Sequence, residues 1–192
     1  MKHERRVDTM PENTVQKSTL RRELLANRQG IDAEVRRASD GIISTRVVAW
    51  CRTHRPSVLG VYVAIRGEPD LMEAYKEIEA LGTRLALPVV SVPDAPLTFM
   101  EWSPGDPLAK DAFGVPIPVT GENLKPDALL IPCVGFDERG FRLGYGGGFY
   151  DRTLASTPRP VAIGIAYACM QTTFDLSPYD VPMDLVITDA PV

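Results

Sequence analysis

Short apolar runs alternate with helical segments along this chain, and this alternation limits its fold more than any other feature. Six strands are expected from apolar or alternating runs, at 57–64, 84–90, 97–102, 127–133, 160–167 and 185–188. Strands that are separated by helices imply a mostly parallel sheet covered by helices on both faces. We therefore predict an α/β fold, a single domain with a mostly parallel central sheet.

Four helices are expected: 14–29 and 32–53 before the first strand, and 70–81 and 149–155 between strands. Asn13 or Thr14 can cap the first helix, and Asp32 can cap the second. The apolar stripe of the second helix is interpreted as core packing by Val35, Ile42, Ile43, Val47 and Trp50. Prolines and glycines crowd residues 110–123, so a loop is predicted there.

Length and composition restrict the partners of the chain. Its 192 residues are 44% hydrophobic and 24% charged, which suits one globular domain at 14–192 behind a flexible polar arm at 1–13. A net charge of −4 argues against a nucleic-acid binder. No apolar stretch reaches membrane-spanning length, and the first residues carry no apolar signal core. We expect a cytoplasmic monomer without nucleic-acid or membrane partners.

The cysteines do not indicate a metal site. Cys51, Cys133 and Cys169 are odd in number and scattered, and only His3 and His54 could join them. No spacing among them suits tetrahedral zinc. They are interpreted as buried, reduced thiols.

A run of glycines between charged residues is the strongest functional signal in the sequence. Gly144, Gly146, Gly147 and Gly148 lie between Arg142 and the pair Asp151 and Arg152. A glycine-rich turn between a buried strand and a helix lets backbone N–H groups approach a phosphate closely. The dinucleotide-binding and P-loop patterns both fail here, because Phe149 stands at the sixth place from Gly144 and no lysine follows the glycines. The alternative is a glycine hairpin that only turns the chain; Arg142 and Asp151 favour a phosphate site.

The segment Arg142-Leu-Gly-Tyr-Gly-Gly-Gly-Phe-Tyr-Asp-Arg152 closely resembles the signature of the 5-formyltetrahydrofolate cyclo-ligase family. Weaker matches to the same family fall in the right order along the chain, from about residue 15 to 189, at Lys17–Arg21, Tyr62–Leu71, Phe113–Pro116, Pro132–Asp137, Gly140 and Asp180–Asp184. Some members carry basic residues inside the glycine motif, where this chain has Tyr145 and Gly147. Because these cations are missing from the motif, we expect the cations of the N-terminal helix to contribute more to phosphate binding.

The resemblance implies ATP-dependent cyclisation of 5-formyltetrahydrofolate to 5,10-methenyltetrahydrofolate, with ATP as co-substrate and Mg²⁺ as cofactor. The catalytic residues that it implies are Arg142, Lys17 and Glu68. It implies an ATP site made of Lys17, Arg21, Arg142, Gly144, Tyr145, Gly146, Gly147, Gly148, Phe149, Tyr150 and Asp151. It further implies a folate site made of Glu68, Phe113 and Tyr150, and a metal ligand at Asp151.

Several of these residues have simpler interpretations. Lys17 and Arg21 lie on one helix face, which is often merely solvated, and Arg28 on the same face is assigned to solvent. Asp151 can be a helix N-cap, and Glu68 can be a turn residue before Pro69. Tyr150 and Phe113 can belong to the core.

Three other functions compete with the cyclo-ligase. One is an ATP-independent enzyme on a similar framework, such as a sugar-phosphate isomerase or a CoA transferase. Another is a folate or nucleotide binder without catalysis, and the third is a relative acting on a different formylated substrate.

Overall fold

The computed structural model describes residues 12–112 and 114–191. Within these residues, eleven strands occur in chain order: β1 Val58–Gly60, β2 Arg84–Val89, β3 Thr98–Glu101, β4 Leu108–Lys110, β5 Pro116–Pro118, β6 Asn123–Leu124, β7 Ala128–Pro132, β8 Gly135–Phe136, β9 Arg142–Leu143, β10 Val161–Ile165 and β11 Leu185–Ile187. Seven of them form the central sheet, in the order β11-β10-β7-β1-β2-β3-β6. The first five in that order are parallel; at one edge β3 pairs antiparallel with β2, and β6 pairs antiparallel with β3. The predicted mostly parallel sheet is confirmed.

Four helices cover this sheet: α1 Glu12–Gln29, α2 Ala33–His54, α3 Met72–Ala80 and α4 Phe149–Leu154. Asp32 caps α2 as predicted, because its Oδ1 accepts from the N–H of Glu34 at 2.8 Å. Helix α1 begins at Glu12, two residues before the predicted start, and the rest of the proposed arm lies outside the described residues. Within the described part of the chain, no helix is both long and apolar enough to cross a membrane.

Burial along α2 confirms only part of the apolar stripe that the sequence predicts to pack in the core. Ile43 and Val47 are fully buried, but Val35 and Ile42 are 58% and 42% exposed. The buried face of α2 begins at Ser39, after Val35. Ile42 lies about 100° around the helix from Ile43, which turns it away from the sheet.

The predicted loop at 110–123 is wrong in part, because β4 and β5 form a small antiparallel hairpin there. Asp111 N–H bonds to Val115 O at 3.0 Å, and Val119 N–H bonds to Pro107 O at 3.3 Å. Hydrogen-bonded pairs alternate along such a ladder, so the prolines of β5 fall at positions that need no donor. A proline-rich sequence can therefore still pair.

The interpretation of the cysteines holds for two of the three. Cys51 and Cys133 are buried, and burial raises the pKa of each thiol to about 12. Cys169 is exposed, in a short 3-10 helix at Ala168–Met170, so the prediction that it is buried is wrong.

The carboxyl ends of the parallel strands gather the segments that carry the functional motifs. Residues 61–71 follow β1, and the hairpin of β8 and β9, the glycine residues and α4 follow β7 in turn. The C-terminal segment 172–184 passes the same region before β11. This is the edge at which ligands bind in open parallel sheets.

Candidate active site

The glycine loop, residues 144–148, joins β9 to α4 in a backbone shape that needs glycine. Gly146 has φ of 102°, and Gly148 occupies the N-cap of α4 with φ of 65°. Both angles lie in the left-handed region, which a residue with a Cβ rarely adopts. Since Gly148 holds the cap, the alternative that Asp151 caps this helix is wrong; Asp151 lies in the first turn of α4.

Asp151 instead pairs with Arg142, directly beneath the glycine loop. Arg142 is buried, and its Nη2 lies 3.0 Å from Asp151 Oδ2. The other carboxylate oxygen, Oδ1, accepts from the N–H of Val181 at 3.2 Å. Arg142 also donates to Val181 O at 3.5 Å and lies over the Tyr150 ring. The pair thus joins β9, α4 and the C-terminal segment.

Lys17 and Arg21 approach the same region from α1. Lys17 Nζ lies 2.8 Å from Asp180 Oδ2, and Arg21 Nε donates to the carbonyl of Gly144 at 2.8 Å. Partial burial lowers the pKa of Arg21, with the nearby Asp180 acting in the opposite direction. These two side chains face the protein, so the solvated-face alternative does not describe them. An open depression of about 420 Å³ adjoins Lys17, between α1 and Phe174 of the C-terminal segment.

Glu68 is a buried carboxylate on the segment that follows β1. It is 3% exposed, and its Oε2 accepts from the N–H of Ile65 at 3.0 Å. Its Oε1 accepts from the hydroxyl of Tyr145 at 2.5 Å, which joins it to the glycine loop. Burial raises the pKa of Glu68, and these hydrogen bonds and the neighbouring Arg28 act against that rise. The structure therefore places Glu68 and the glycine loop side by side.

Arg28 corrects the sequence analysis, which assigned it to solvent. Its side chain is 1% exposed and donates to Arg66 O, Cys133 O and the Tyr145 hydroxyl, at 3.2, 3.1 and 2.6 Å. The face that it shares with Lys17, Arg21 and the buried Leu24 is the packed face of α1. The apolar side chain of Leu24 on that face was the signal available in the sequence.

The remaining residues divide between loop, core and an undescribed position. The guanidinium of Arg152 lies over the Phe149 ring, 4.9 Å from the centroid of that ring. Tyr150 packs against the core. Phe113 lies outside the described residues. Asp180 was matched only as part of a C-terminal motif, yet it is the partner of Lys17 across 163 residues of sequence.

Comparison with known protein families identifies the family of this chain. A family model described as the 5-formyltetrahydrofolate cyclo-ligase family matches residues 13–189. The chain belongs to the 5-formyltetrahydrofolate cyclo-ligase family. The resemblance inferred from the glycine motif is confirmed, and so is the prediction that this member of the cyclo-ligase family is an enzyme.

Other cyclo-ligase family members align with most of the chain. A 5-formyltetrahydrofolate cyclo-ligase from Mycolicibacterium smegmatis is 31% identical over 186 residues, covering 90% of this chain and 93% of its own. One from Mycoplasma pneumoniae is 28% identical over 176 residues, covering 90% and 98%. The solved 5,10-methenyltetrahydrofolate synthetase of Aquifex aeolicus has a TM-score of 0.78 at 29% identity, over 91% of this chain and 90% of its own. The Mycoplasma pneumoniae synthetase structure gives 0.76 at 26% identity, over 91% and 99%.

Proposed function

We propose that this chain converts 5-formyltetrahydrofolate to 5,10-methenyltetrahydrofolate, using ATP and releasing ADP and phosphate. One arrangement carries the proposal: Arg21 contacts a glycine loop that also contacts the buried carboxylate of Glu68. Arg142 and Lys17 are held beside that loop by their ion pairs with Asp151 and Asp180. Three cations around one loop suit a polyphosphate, and the carboxylate beside it suits a second, hydrogen-bonding substrate.

The chemistry explains why ATP is needed. The N5-formyl group is an amide, so its carbon is a poor electrophile and its oxygen a poor leaving group. Transfer of the γ-phosphoryl group to the formyl oxygen makes that oxygen a good leaving group and releases ADP. N10 of the same molecule then attacks the formyl carbon, the N10 proton is lost, and phosphate departs with the former formyl oxygen. The protein has to position the two substrates and neutralise charge, and no covalent enzyme intermediate is required.

The cations around the loop suit that task. Backbone N–H groups of the glycine loop would bind phosphate oxygens, with Phe149 and Tyr150 beside them. Arg142 is held by Asp151 and by Val181 O, so its guanidinium is already oriented. Arg21 reaches the loop from α1, and Lys17 lies one helical turn before it; both would neutralise charge that develops during phosphoryl transfer.

Magnesium fits this site through one carboxylate. No group of three or more candidate ligands occurs among the described residues, so a cage made of protein side chains is not what they offer. Mg²⁺ in nucleotide sites is usually held by one or two carboxylates together with phosphates and water. Asp151, whose side chain is 23% exposed, is the proposed carboxylate. When bound there, the ion would neutralise phosphate charge.

Glu68 is the proposed folate contact. An ionised carboxylate can accept hydrogen bonds from the N–H groups of a pterin, and Glu68 lies at the end of a different strand from the glycine loop while still touching it. We also assign Phe113 and Tyr150 to the folate side, as aromatic surfaces for the pterin.

The test is to mix the purified chain with MgATP and 5-formyltetrahydrofolate and follow the near-ultraviolet absorbance of the methenyl product. Omitting ATP separates this activity from an isomerase or CoA transferase, and a binder without catalysis would give no product. Arg142→Ala should lose turnover, whereas Arg159→Ala, which removes another arginine paired with an aspartate (Asp184, 2.8 Å), should keep it. Turnover without ATP, or none under any condition, would overturn the proposal.

A further inference from the structure

We propose that Arg28 and Tyr145 are positioning residues that hold Glu68 as an ionised, fixed acceptor through a directed chain of hydrogen bonds. The chain runs from Arg28 to the hydroxyl of Tyr145 and on to Glu68 Oε1. The inference deepens the proposed function. Its prediction about turnover rests on the proposed contact between Glu68 and the folate, whereas its prediction about the titration of Glu68 does not.

Arg28 is fixed from several directions. Each of its three nitrogens donates to a different segment: Nε to Arg66 O, Nη1 to Cys133 O and Nη2 to the Tyr145 hydroxyl. At the end of α1, Arg36 donates to the carbonyl of Arg28 at 3.1 Å. A buried guanidinium with all three nitrogens engaged has little freedom to move, so it sets the position of whatever it binds.

Tyr145 transmits this position to Glu68 with a defined polarity. A guanidinium has no acceptor, so in the 2.6 Å contact with Arg28 the Tyr145 oxygen must accept. The single phenolic proton is then available for Glu68 Oε1, 2.5 Å away. Glu68 is held on its other oxygen by the N–H of Ile65, so both carboxylate oxygens have a fixed donor.

The backbone around Glu68 is held in an unusual shape by the same arginine. Arg66 has φ of 49°, a left-handed value that residues with a Cβ rarely adopt. Its carbonyl is the acceptor of Arg28 Nε, and the N–H of Glu68 closes the turn on Ile65 O at 3.0 Å. Strained backbone of this kind persists where surrounding contacts enforce it, commonly at functional sites.

The groups that feel the charge of Glu68 are mostly neutral. They come from α1, the segment after β1, α3, the segment after β7, the glycine loop and α4: Arg28, Tyr62, Arg66, Tyr75, Cys133, Tyr145 and Tyr150. Burial raises the pKa of each of these phenols and of the thiol, so they stay neutral near pH 7. Arg28 and the exposed Arg66 are therefore the two cations of this set, and only Arg28 is buried.

This setting makes the hydrogen bond from Tyr145 consequential. Burial raises the pKa of Glu68 and favours its neutral form, while the bond from Tyr145 is the largest influence in the opposite direction. Arg28 Nη2 itself lies 3.9 Å from Oε1, beyond hydrogen-bond distance. Arg28 thus pairs directly with the charge of Glu68, but it is joined to Glu68 by hydrogen bonds only through Tyr145.

The test compares the parent with Tyr145→Phe and with a matched control, Tyr167→Phe. The hydroxyl of Tyr167 donates to Asp40 at 2.7 Å. The control therefore also removes a phenolic hydroxyl that bonds to a carboxylate, but outside the proposed site. In protein with ¹³C-labelled glutamate side chains, the Glu68 carboxyl resonance is assigned with Glu68→Gln and titrated by NMR. We expect Tyr145→Phe to raise the Glu68 midpoint by about one pH unit or more. Tyr167→Phe should leave it unchanged.

Turnover of 5-formyltetrahydrofolate against pH gives the second measurement. The acid limb of kcat/KM for the folate should move upward in Tyr145→Phe with the carboxyl midpoint, a shift that a purely structural role would not produce. An unchanged Glu68 midpoint in Tyr145→Phe, or an equal shift in Tyr167→Phe, overturns the inference. If the midpoint moves and the acid limb does not, the positioning of Glu68 stands and its proposed contact with folate fails.

Discussion

Replacing Glu68 by glutamine should separate the stability of this protein from its activity. The carboxylate is 3% exposed, and burial raises its pKa above the value that it has in an unfolded chain. A raised pKa means that the folded protein binds this proton more tightly than the unfolded chain does. The stability that Glu68 contributes is therefore fully present below the unfolded pKa, near 4.3, and is lost as the pH rises through the folded pKa.

The glutamine variant has no charge at any of these pH values, so it avoids that loss. It keeps an oxygen acceptor for one of the two donors, Tyr145 O–H and Ile65 N–H, and leaves the other without its former partner. That defect costs about 1 kcal/mol or somewhat more, and it costs the same at every pH. The pH dependence of the difference between the two proteins therefore carries the test.

We expect the free energy of unfolding of Glu68→Gln, relative to the parent, to rise as the pH increases from 5 to 8. Each unit by which the folded pKa exceeds the unfolded value contributes about 1.4 kcal/mol to that change. Urea unfolding followed by tryptophan fluorescence is suitable, because Trp102 is buried in the core. In the folded Glu68→Gln variant, the affinity for folate should fall while the affinity for ATP changes little.

Glu101→Gln is the matched control, with the opposite sign. Hydrogen bonds from Arg84 lower the pKa of Glu101, so its contribution is present above the unfolded pKa and is lost only as the pH falls through the folded one. That variant should show no gain toward pH 8. A constant difference between Glu68→Gln and the parent across this range would refute the reasoning about Glu68, and so would a growing advantage of the parent at pH 8.

The other predictions concern the phosphate side of the site. Turnover should disappear in EDTA and return with added Mg²⁺; full activity in EDTA would remove the metal from the proposal. The double variant Lys17→Ala and Arg21→Ala should bind ATP about 100-fold more weakly or worse in calorimetric titration, because two charge-assisted contacts are lost. An ATP affinity near that of the parent would mean that both residues have only a structural role. Arg142→Ala should lower kcat by about 100-fold or more and the free energy of unfolding by about 1–3 kcal/mol, because Asp151 loses its cation. Parent-like turnover in a folded Arg142→Ala variant would contradict that assignment.

The parallel sheet could be predicted because its signal is local. The strands expected at 84–90 and 127–133 appear as β2 and β7 with nearly the same bounds. The strand expected at 57–64 is shorter, since the chain leaves the sheet after Gly60 to form the segment that carries Glu68. The hairpin of β4 and β5 was missed because proline frequency says nothing about which residues of a ladder need a donor.

The site was harder to predict, because its partners are far apart in the sequence. The family resemblance assigned Arg142, Asp151 and Lys17 to one site, but it did not predict that Arg142 pairs with Asp151 or Lys17 with Asp180. Arg28 was assigned to solvent because charged residues on a helix usually lie there, although the apolar Leu24 shares its face. Its burial depends on the carbonyls of Arg66 and Cys133, which lie 38 and 105 residues away.

The contact between the C-terminal segment and the Arg142–Asp151 pair also determines when the site can form during synthesis. Asp180 and Val181 provide partners of Lys17, Arg142 and Asp151, so these side chains remain incompletely paired until synthesis has passed residue 181. The glycine loop and α1 would be present in a nascent chain that ends before residue 177, yet the guanidinium of Arg142 would lack one of its anchors. A product truncated there would also lack β11, so four of the five parallel strands would remain without the anchor of Arg142, and we expect such a product to have no turnover.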